Sequence, residues 1–323
     1  MHKELFQSLT FGKIQSYGAV SAFPLSTPVS LNGLSYLTLS EAMELMLLRV
    51  EEVTEGGSVP DIKVISTASL PILIVAGEEV KGAKQNRILN TSILIPAKAS
   101  LVIPVSCTER GRWSYVSPDF KDSGNISSRD VRRTASDTVR NSLNYGRGHR
   151  SDQGMVWDRI EELHHKSNSH HSSHSRAMDD AFRARQNDLE EAMRHFSLVP
   201  GQTGVLFFHS GKVAGLDLLS QPAAYARLHD KLVKSYVIDC LEGKKVRVDA
   251  NLLQQKARTF LDSAATGEVK RFKSPGLGND HRISAPSLQG STLEYEDEPI
   301  HTCCFSIEKE EERILGFNQR RNL

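Results

Sequence analysis

From Gly77 to Arg87 the chain reads Gly77-Glu78-Glu79-Val80-Lys81-Gly82-Ala83-Lys84-Gln85-Asn86-Arg87, and nearly every side chain in it can do chemistry. A carboxylate such as Glu78 or Glu79 can serve as general acid or base. Because the two are adjacent, a strand would point them to opposite faces, and only one could enter a shared site. Lys81, Lys84 and Arg87 recur every third residue, which lines them up on one side of a helical turn or an extended polyproline-like stretch and suits an anion. The competing reading is a solvated loop whose charges cancel locally.

Two further segments add candidates. Cys107-Thr108-Glu109-Arg110-Gly111-Arg112-Trp113 places a thiol beside Glu109 and Arg112, and cationic neighbours lower a thiol pKa. In Asp152-Gln153-Gly154-Met155-Val156-Trp157, Gln153 and Trp157 lie one helical turn apart, a spacing that offers an amide and an indole together to a base or ribose. Trp157 serves equally well as core.

The elements that would position these residues are short strands. Leu70 to Ala76 and Leu89 to Ile95 are apolar, β-branched runs of buried-strand length. The polar block between them is too long for a simple turn, so a ligand-binding loop between two buried strands is expected. Gly77 and Gly82 fit a chain that needs positive φ or a close backbone approach there. Leu101 to Ser106 and Arg112 to Val116 read as further strands. Pro96 and Pro104 require at least one strand to be an edge or bulged.

The Gly77 to Arg87 block, the Cys107 to Trp113 segment and the Asp152 to Trp157 segment, in this order, resemble the bacterial family of ADP-ribosylglycohydrolase and rhodanese-phosphatase associated proteins, first member. The resemblance runs from about Tyr36 to Leu219. The family's name records gene neighbours rather than a reaction, so it implies a link to NAD or ADP-ribose metabolism and leaves the chemistry open.

Composition narrows the class. The 323 residues suffice for one large or two ordinary domains. A formal net charge of +1 gives no global attraction to nucleic acid or an anionic membrane. No secretory leader and no membrane-length apolar run is evident, so a cytoplasmic location is expected. Cys107, Cys240, Cys303 and Cys304 lack the spacing of a disulfide framework or zinc site and read as buried thiols. His164 to His174 alternates histidine with serine and reads as a polar linker ahead of a metal site. No Walker loop, Gly-x-Ser-x-Gly elbow or internal repeat occurs, and no cofactor is indicated.

Around this block, Ser40 is expected to cap a short helix, followed by a hairpin from Leu48 through Gly56-Gly57 to Ile65. Ser127 to Asn144 reads as a helix with Val131, Ala135 and Val139 on one face and Arg129, Arg133 and Arg140 opposite, either solvated or facing a diphosphate. Helices follow near 152–163 and 176–196. A hairpin over 205–217, helices from Ser220 and Asp249, and C-terminal strands close the chain. The fold class is therefore α+β, a mainly antiparallel sheet from the N- and C-terminal thirds with a helical middle third. Residues 1–196 and 197–323 form two segments, the second of which can complete the sheet of the first.

Three functions are compatible with these residues. In the first, Glu78 or Glu79 acts as acid or base on an NAD-derived nucleotide such as ADP-ribose. Lys84, Arg87 or Arg112 neutralises its phosphates, and Gln85, Asn86 and Gln153 bond ribose or base. Trp113 or Trp157 stacks on the base, and Glu109 belongs to the same motif. In the second, the same block recognises a nucleotide or protein partner without catalysis. In the third, Gln85, Asn86 and Arg87 only satisfy buried strand ends.

Overall fold

The computed structural model describes residues 2–27, 33–54, 56–169, 175–243 and 249–307. The fold is α+β. A nine-stranded antiparallel sheet forms its backbone, built from β1 (Thr10–Phe11), β2 (Gln15–Tyr17), β3 (Val20–Ser26), β13 (Gly204–His209), β14 (Lys212–Leu219), β15 (Glu268–Lys273), β16 (Asn279–Ala285), β17 (Leu288–Tyr295) and β18 (Glu298–Ser306). Its order is β1-β3-β13-β14-β18-β17-β16-β15, with β2 also on β3. Strands from both ends of the chain thus share one sheet.

Both faces of that sheet are covered, and β13 is accordingly apolar from Val205 to Phe208. Along β13, Val205 and Phe207 enter the core shared with the mid-chain helices, while Leu206 and Phe208 enter the core on the other face. That second face is closed by α1 (His2–Ser8) and α8 (Ala250–Thr266). Asp249 caps α8 by accepting from the Asn251 and Leu252 amides. The first face carries α3 (Arg129–Asn144), α4 (Gln153–Lys166), α5 (Met178–Ala184), α6 (Gln186–Met193) and α7 (Pro222–Val237).

Two smaller sheets hold the candidate residues. One is β10-β7-β4, from β4 (Leu37–Thr38), β7 (Ile72–Ile74) and β10 (Ile93–Ile95). The other is β12-β8-β9-β11-β6-β5, from β5 (Leu48–Glu52), β6 (Asp61–Ser66), β8 (Glu78–Gly82), β9 (Arg87–Leu89), β11 (Ser100–Cys107) and β12 (Phe120–Ile126). The expected β5–β6 hairpin is present, pairing Val50 with Val64. Val50, Ile62, Val64, Val80, Leu89 and Ile103 share a core with Ile72 and Ile93.

Several sequence expectations are corrected here. The polar block is not a loop between the two buried strands that flank it. The apolar runs flanking it, β7 and β10, pair with each other, whereas the block itself is the hairpin β8–β9 in the other sheet. Leu89 to Ile95 divides into β9 and β10 at the buried Asn90-Thr91-Ser92, whose side chains bond other elements. Arg112 to Val116 forms bends rather than a strand; Phe120–Ile126 takes the strand role. The short helix α2 (Leu39–Glu44) is capped by Thr38 in a capping box with Glu41, not by Ser40. The Ser40 hydroxyl donates instead to Asp122 at 2.7 Å. At α7 the cap is Gln221, with Pro222 in the first turn.

The arginines of α3 do not form a solvated stripe. Arg132 and Arg133 are buried, and Arg129 donates to the Ala214 and Ser306 carbonyls. Arg132 forms a bidentate pair with Asp217, both side chains almost wholly buried. Its Nε donates to the Ala76 carbonyl at 3.2 Å. Gly77 makes room for that arginine: its φ is +86°, and a Cβ would lie 2.6 Å from Arg132 Cγ. One buried ion pair therefore ties α3 and β14 to the start of the polar block.

Candidate functional site

Glu78 and Glu79 do lie on a strand, and its pleat separates them. Glu78 is fully buried. Its Oε1 accepts from Lys231 Nζ at 3.0 Å and its Oε2 from the Val75 amide at 2.9 Å. Lys231 also reaches both Asp122 oxygens, at 2.9 and 2.8 Å. Burial raises the Glu78 carboxyl, against the pull of Lys231. For Asp122 the lysine outweighs burial and holds the carboxyl below its ordinary range. This trio ties β8 and β12 to α7.

Glu79 is equally buried, and its Oε1 accepts from the Thr108 hydroxyl at 2.7 Å. Its Oε2 has no hydrogen-bond partner among the described residues. Burial, offset only partly by Thr108, pushes its pKa up to about 8. At neutral pH this carboxyl is mostly protonated.

At the far end of the hairpin the other candidates converge. Arg87 is fully buried; its Nη1 donates to Gln85 Oε1 at 3.1 Å and to Cys107 Sγ at 2.6 Å, and its Nη2 to the Ser58 carbonyl at 3.3 Å. Asn86 Oδ1 accepts from the Gly82 amide at 3.2 Å and from Arg112 Nη2 at 3.3 Å. Arg112 grips Glu109 as a fork, at 2.9 and 2.5 Å, and donates through Nη1 to the Ala83 and Ser114 carbonyls. These two arginines are committed to the protein and hold the hairpin end rigid.

Gln153, on the first turn of α4, brackets Cys107: its Oε1 accepts from the Cys107 amide at 2.8 Å and its Nε2 donates to the Cys107 carbonyl at 2.9 Å. The amide thus continues the ladder of β11. Burial pushes the Cys107 thiol up to about 11 despite the nearby Arg87, so the activated-thiol expectation does not hold. Trp157 lies under the Arg110 guanidinium, 5.3 Å from ring centroid to Cζ.

Lys84 is half-buried beside the exposed Trp113 and Tyr115. Lys84 Nζ donates to the Gly56 carbonyl at 2.7 Å and sits over both rings, 5.6 Å from Trp113 and 5.1 Å from Tyr115. Trp113 and Tyr115 are each 48% exposed. Beneath them Glu52, which sequence reasoning missed, is buried in the β5–β6 hairpin. Its Oε1 accepts from the Lys84 amide at 3.3 Å and lies 3.7 Å from Arg87 Nη2. Glu52 Oε2 and Arg87 Nε have no partners among the described residues. Gly57, at φ +77°, closes over this point; a Cβ there would lie 3.3 Å from Trp113 and 3.6 Å from Glu52 Oε2. Tyr115 was missed with Glu52, since neither stands out from its local sequence.

A second network has the residue types of a hydrolase triad. Ser92 Oγ lies 2.7 Å from His301 Nδ1, and His301 Nε2 lies 3.3 Å from Asp217 Oδ1. All three are buried. Asp217 is already neutralised by Arg132 and accepts from the Tyr236 hydroxyl at 2.9 Å. An enclosed serine beside a quenched aspartate holds sheets together; it has no substrate access.

Among the described residues no group of three or more potential ligands is placed to hold a metal. His164 is buried on α4, with Nδ1 2.6 Å from Ser169 Oγ. His170, His171 and His174 of the histidine-rich tract lie outside the described residues. No described helix is long and apolar enough to cross a membrane.

The family model of the ARG and Rhodanese-Phosphatase-superfamily-associated Protein domain matches residues 8–305, and the chain belongs to that family. No curated protein and no solved structure gives a match.

Proposed function

We propose that this family member binds an NAD-derived nucleotide such as ADP-ribose at the end of the β8–β9 hairpin, with the base stacked on Trp113. The observation that carries the reading is the half-exposed pair Trp113 and Tyr115 around the Lys84 ammonium, set on a buried ionic platform. Aromatic faces accept any base, and a neighbouring ammonium suits its phosphates. Glu52 Oε2 and Arg87 Nε, an acceptor and a donor directly below without a partner among the described residues, are the kind of buried groups whose partner a ligand can supply. Gln85, Asn86, Glu109 and Arg112 hold the platform, and Gln153 fixes the strand behind it. The family's association with ARG, which the motif resemblance reads as ADP-ribosylglycohydrolase, favours an ADP-ribose-type ligand.

Binding without turnover is favoured over catalysis by one observation: Glu78 and Glu79, the candidate acid and base, are both wholly buried. A catalytic role for either would need the hairpin to open. Calorimetric titration with ADP-ribose and NAD, followed by analysis of the recovered ligand, tests both points. Loss of one base–aromatic stack costs about 1–3 kcal/mol, so Trp113→Ala is expected to weaken binding roughly 5- to 150-fold with the ligand recovered intact. Equal affinity in Trp113→Ala would refute the placement, and breakdown of the ligand by the wild type would refute the non-catalytic form.

A further inference from the structure

The ionic platform under Trp113 leaves two polar atoms over. Glu52 Oε2 and Arg87 Nε have no hydrogen-bond partner among the described residues, although the Glu52 side chain is only 3% exposed and that of Arg87 0%. An enclosed polar atom costs free energy until a bond is made to it. The two belong to neighbouring groups. Glu52 Oε1 and Arg87 Nη2 lie 3.7 Å apart, close enough for an ion pair and too far for a hydrogen bond. Their other polar atoms already have partners: Oε1 accepts from the Lys84 amide, and the two Nη atoms donate to Gln85, Cys107 and the Ser58 carbonyl. One acceptor and one donor remain, on adjacent side chains.

Gly57 relates them to the aromatic face. Beyond the adjoining chain, the nearest neighbours of the point a Cβ would take there are Lys84 Cδ at 3.0 Å, Trp113 Cζ2 at 3.3 Å and Glu52 Oε2 at 3.6 Å. The carboxyl oxygen, the indole edge and the lysine stem thus meet around one point, and the residue over that point carries no side chain.

Resting on the nucleotide reading, we propose that Glu52 and Arg87 read a hydroxyl of the ribose joined to the stacked base. That hydroxyl donates to Glu52 Oε2 and accepts from Arg87 Nε. A hydroxyl does both through a single oxygen. An exocyclic amine only donates, and a base edge that offers both functions is a wide, flat group to bring to side chains this enclosed. With the base on Trp113, the base-linked ribose is the sugar beside the indole edge, whereas the terminal ribose of ADP-ribose lies beyond two phosphates. A ligand lacking the hydroxyl leaves a buried carboxylate unpaired, which is why sites of this kind discriminate strongly. Glu52 is then the specificity-determining residue of a ribonucleotide site.

Calorimetric titration of the full chain with ADP-ribose, with its 2′-deoxy and 3′-deoxy forms in the adenosine sugar, and with its hypoxanthine form tests this. The wild type is expected to bind at least one deoxy form about 10- to 100-fold more weakly than ADP-ribose, and the hypoxanthine form as tightly as ADP-ribose. In Glu52→Gln the amide oxygen stays on the Lys84 amide and an NH₂ replaces the acceptor, so the preference over the deoxy form should shrink to near parity. Trp113→Ala should weaken all four ligands alike and keep the preference. Equal affinity of the wild type for ADP-ribose and both deoxy forms overturns the proposal, leaves the nucleotide reading standing and gives the two atoms to a buried water. A loss confined to the hypoxanthine form overturns it in favour of a base edge. A preference unchanged in folded Glu52→Gln overturns the part given to Glu52; if that variant does not fold, the wild-type series decides alone. Folded wild type that binds no ADP-ribose overturns the nucleotide reading and this inference with it.

Discussion

Replacing Glu79 by glutamine removes a carboxyl that the fold holds in an unfavourable place. The side chain is fully buried, one oxygen accepts from the Thr108 hydroxyl, and the other has no hydrogen-bond partner among the described residues. Its pKa stands at about 8 against an ordinary 4.5. The sign follows from linkage. A group with a raised folded-state pKa contributes stability that is fully present below about pH 4.5 and lost progressively until about pH 8. At roughly 1.4 kcal/mol per pH unit, the whole loss is on the order of 5 kcal/mol and about 3 kcal/mol at neutrality. Water admitted to the site lowers both figures. Glutamine keeps the acceptor for Thr108 and cannot ionise. Urea unfolding at a series of pH values should find Glu79→Gln close to wild type near pH 5 and more stable by several kcal/mol near pH 8. A difference that stays constant across that range would refute the assignment of this pH dependence to Glu79.

Other substitutions test the buried frame. Arg132→Ala leaves Asp217 charged and enclosed, for an expected loss of about 3–5 kcal/mol in urea unfolding. Gly77→Ala meets Arg132 Cγ at 2.6 Å and a φ of +86°, so thermal unfolding should show at least about 1–3 kcal/mol of destabilisation. Arg87→Ala strips partners from Gln85, Cys107 and Glu52 and should lower stability by about 3 kcal/mol whether or not ligand is present. If Arg87→Ala kept full stability, the platform role given to this arginine would be wrong.

How legible this was in sequence depended on how local the cause is. Period-2 runs and Gly turns marked the β5–β6 and β13–β14 hairpins, and apolar spacing marked α3, α7 and α8, because each follows from neighbours a few residues apart. The adjacency of Glu78 and Glu79 implied opposite faces, as their separate partners Lys231 and Thr108 show. Long-range causes were hidden. That β7 pairs with β10 across the polar block is settled by which sheet each joins, not by their similar composition. Arg129 read as part of a solvated or diphosphate-facing stripe because its acceptors, the Ala214 and Ser306 carbonyls, lie far along the chain. Cationic neighbours suggested a reactive Cys107, but burial prevails there. Of the candidate site, Lys84, Gln85, Asn86, Arg87, Glu109, Arg112 and Trp113 do meet at one hairpin end, whereas Glu52 and Tyr115 gave no local signal.

The most direct test of the nucleotide-binding proposal is calorimetric titration of the folded, full-length protein with ADP-ribose, wild type beside Trp113→Ala. The account expects saturable binding by the wild type, a roughly 5- to 150-fold weaker constant for the variant, and ligand recovered unchanged. Folded wild type that binds neither ADP-ribose nor NAD would contradict it, and would leave the buried ionic platform at the end of the β8–β9 hairpin a purely structural element.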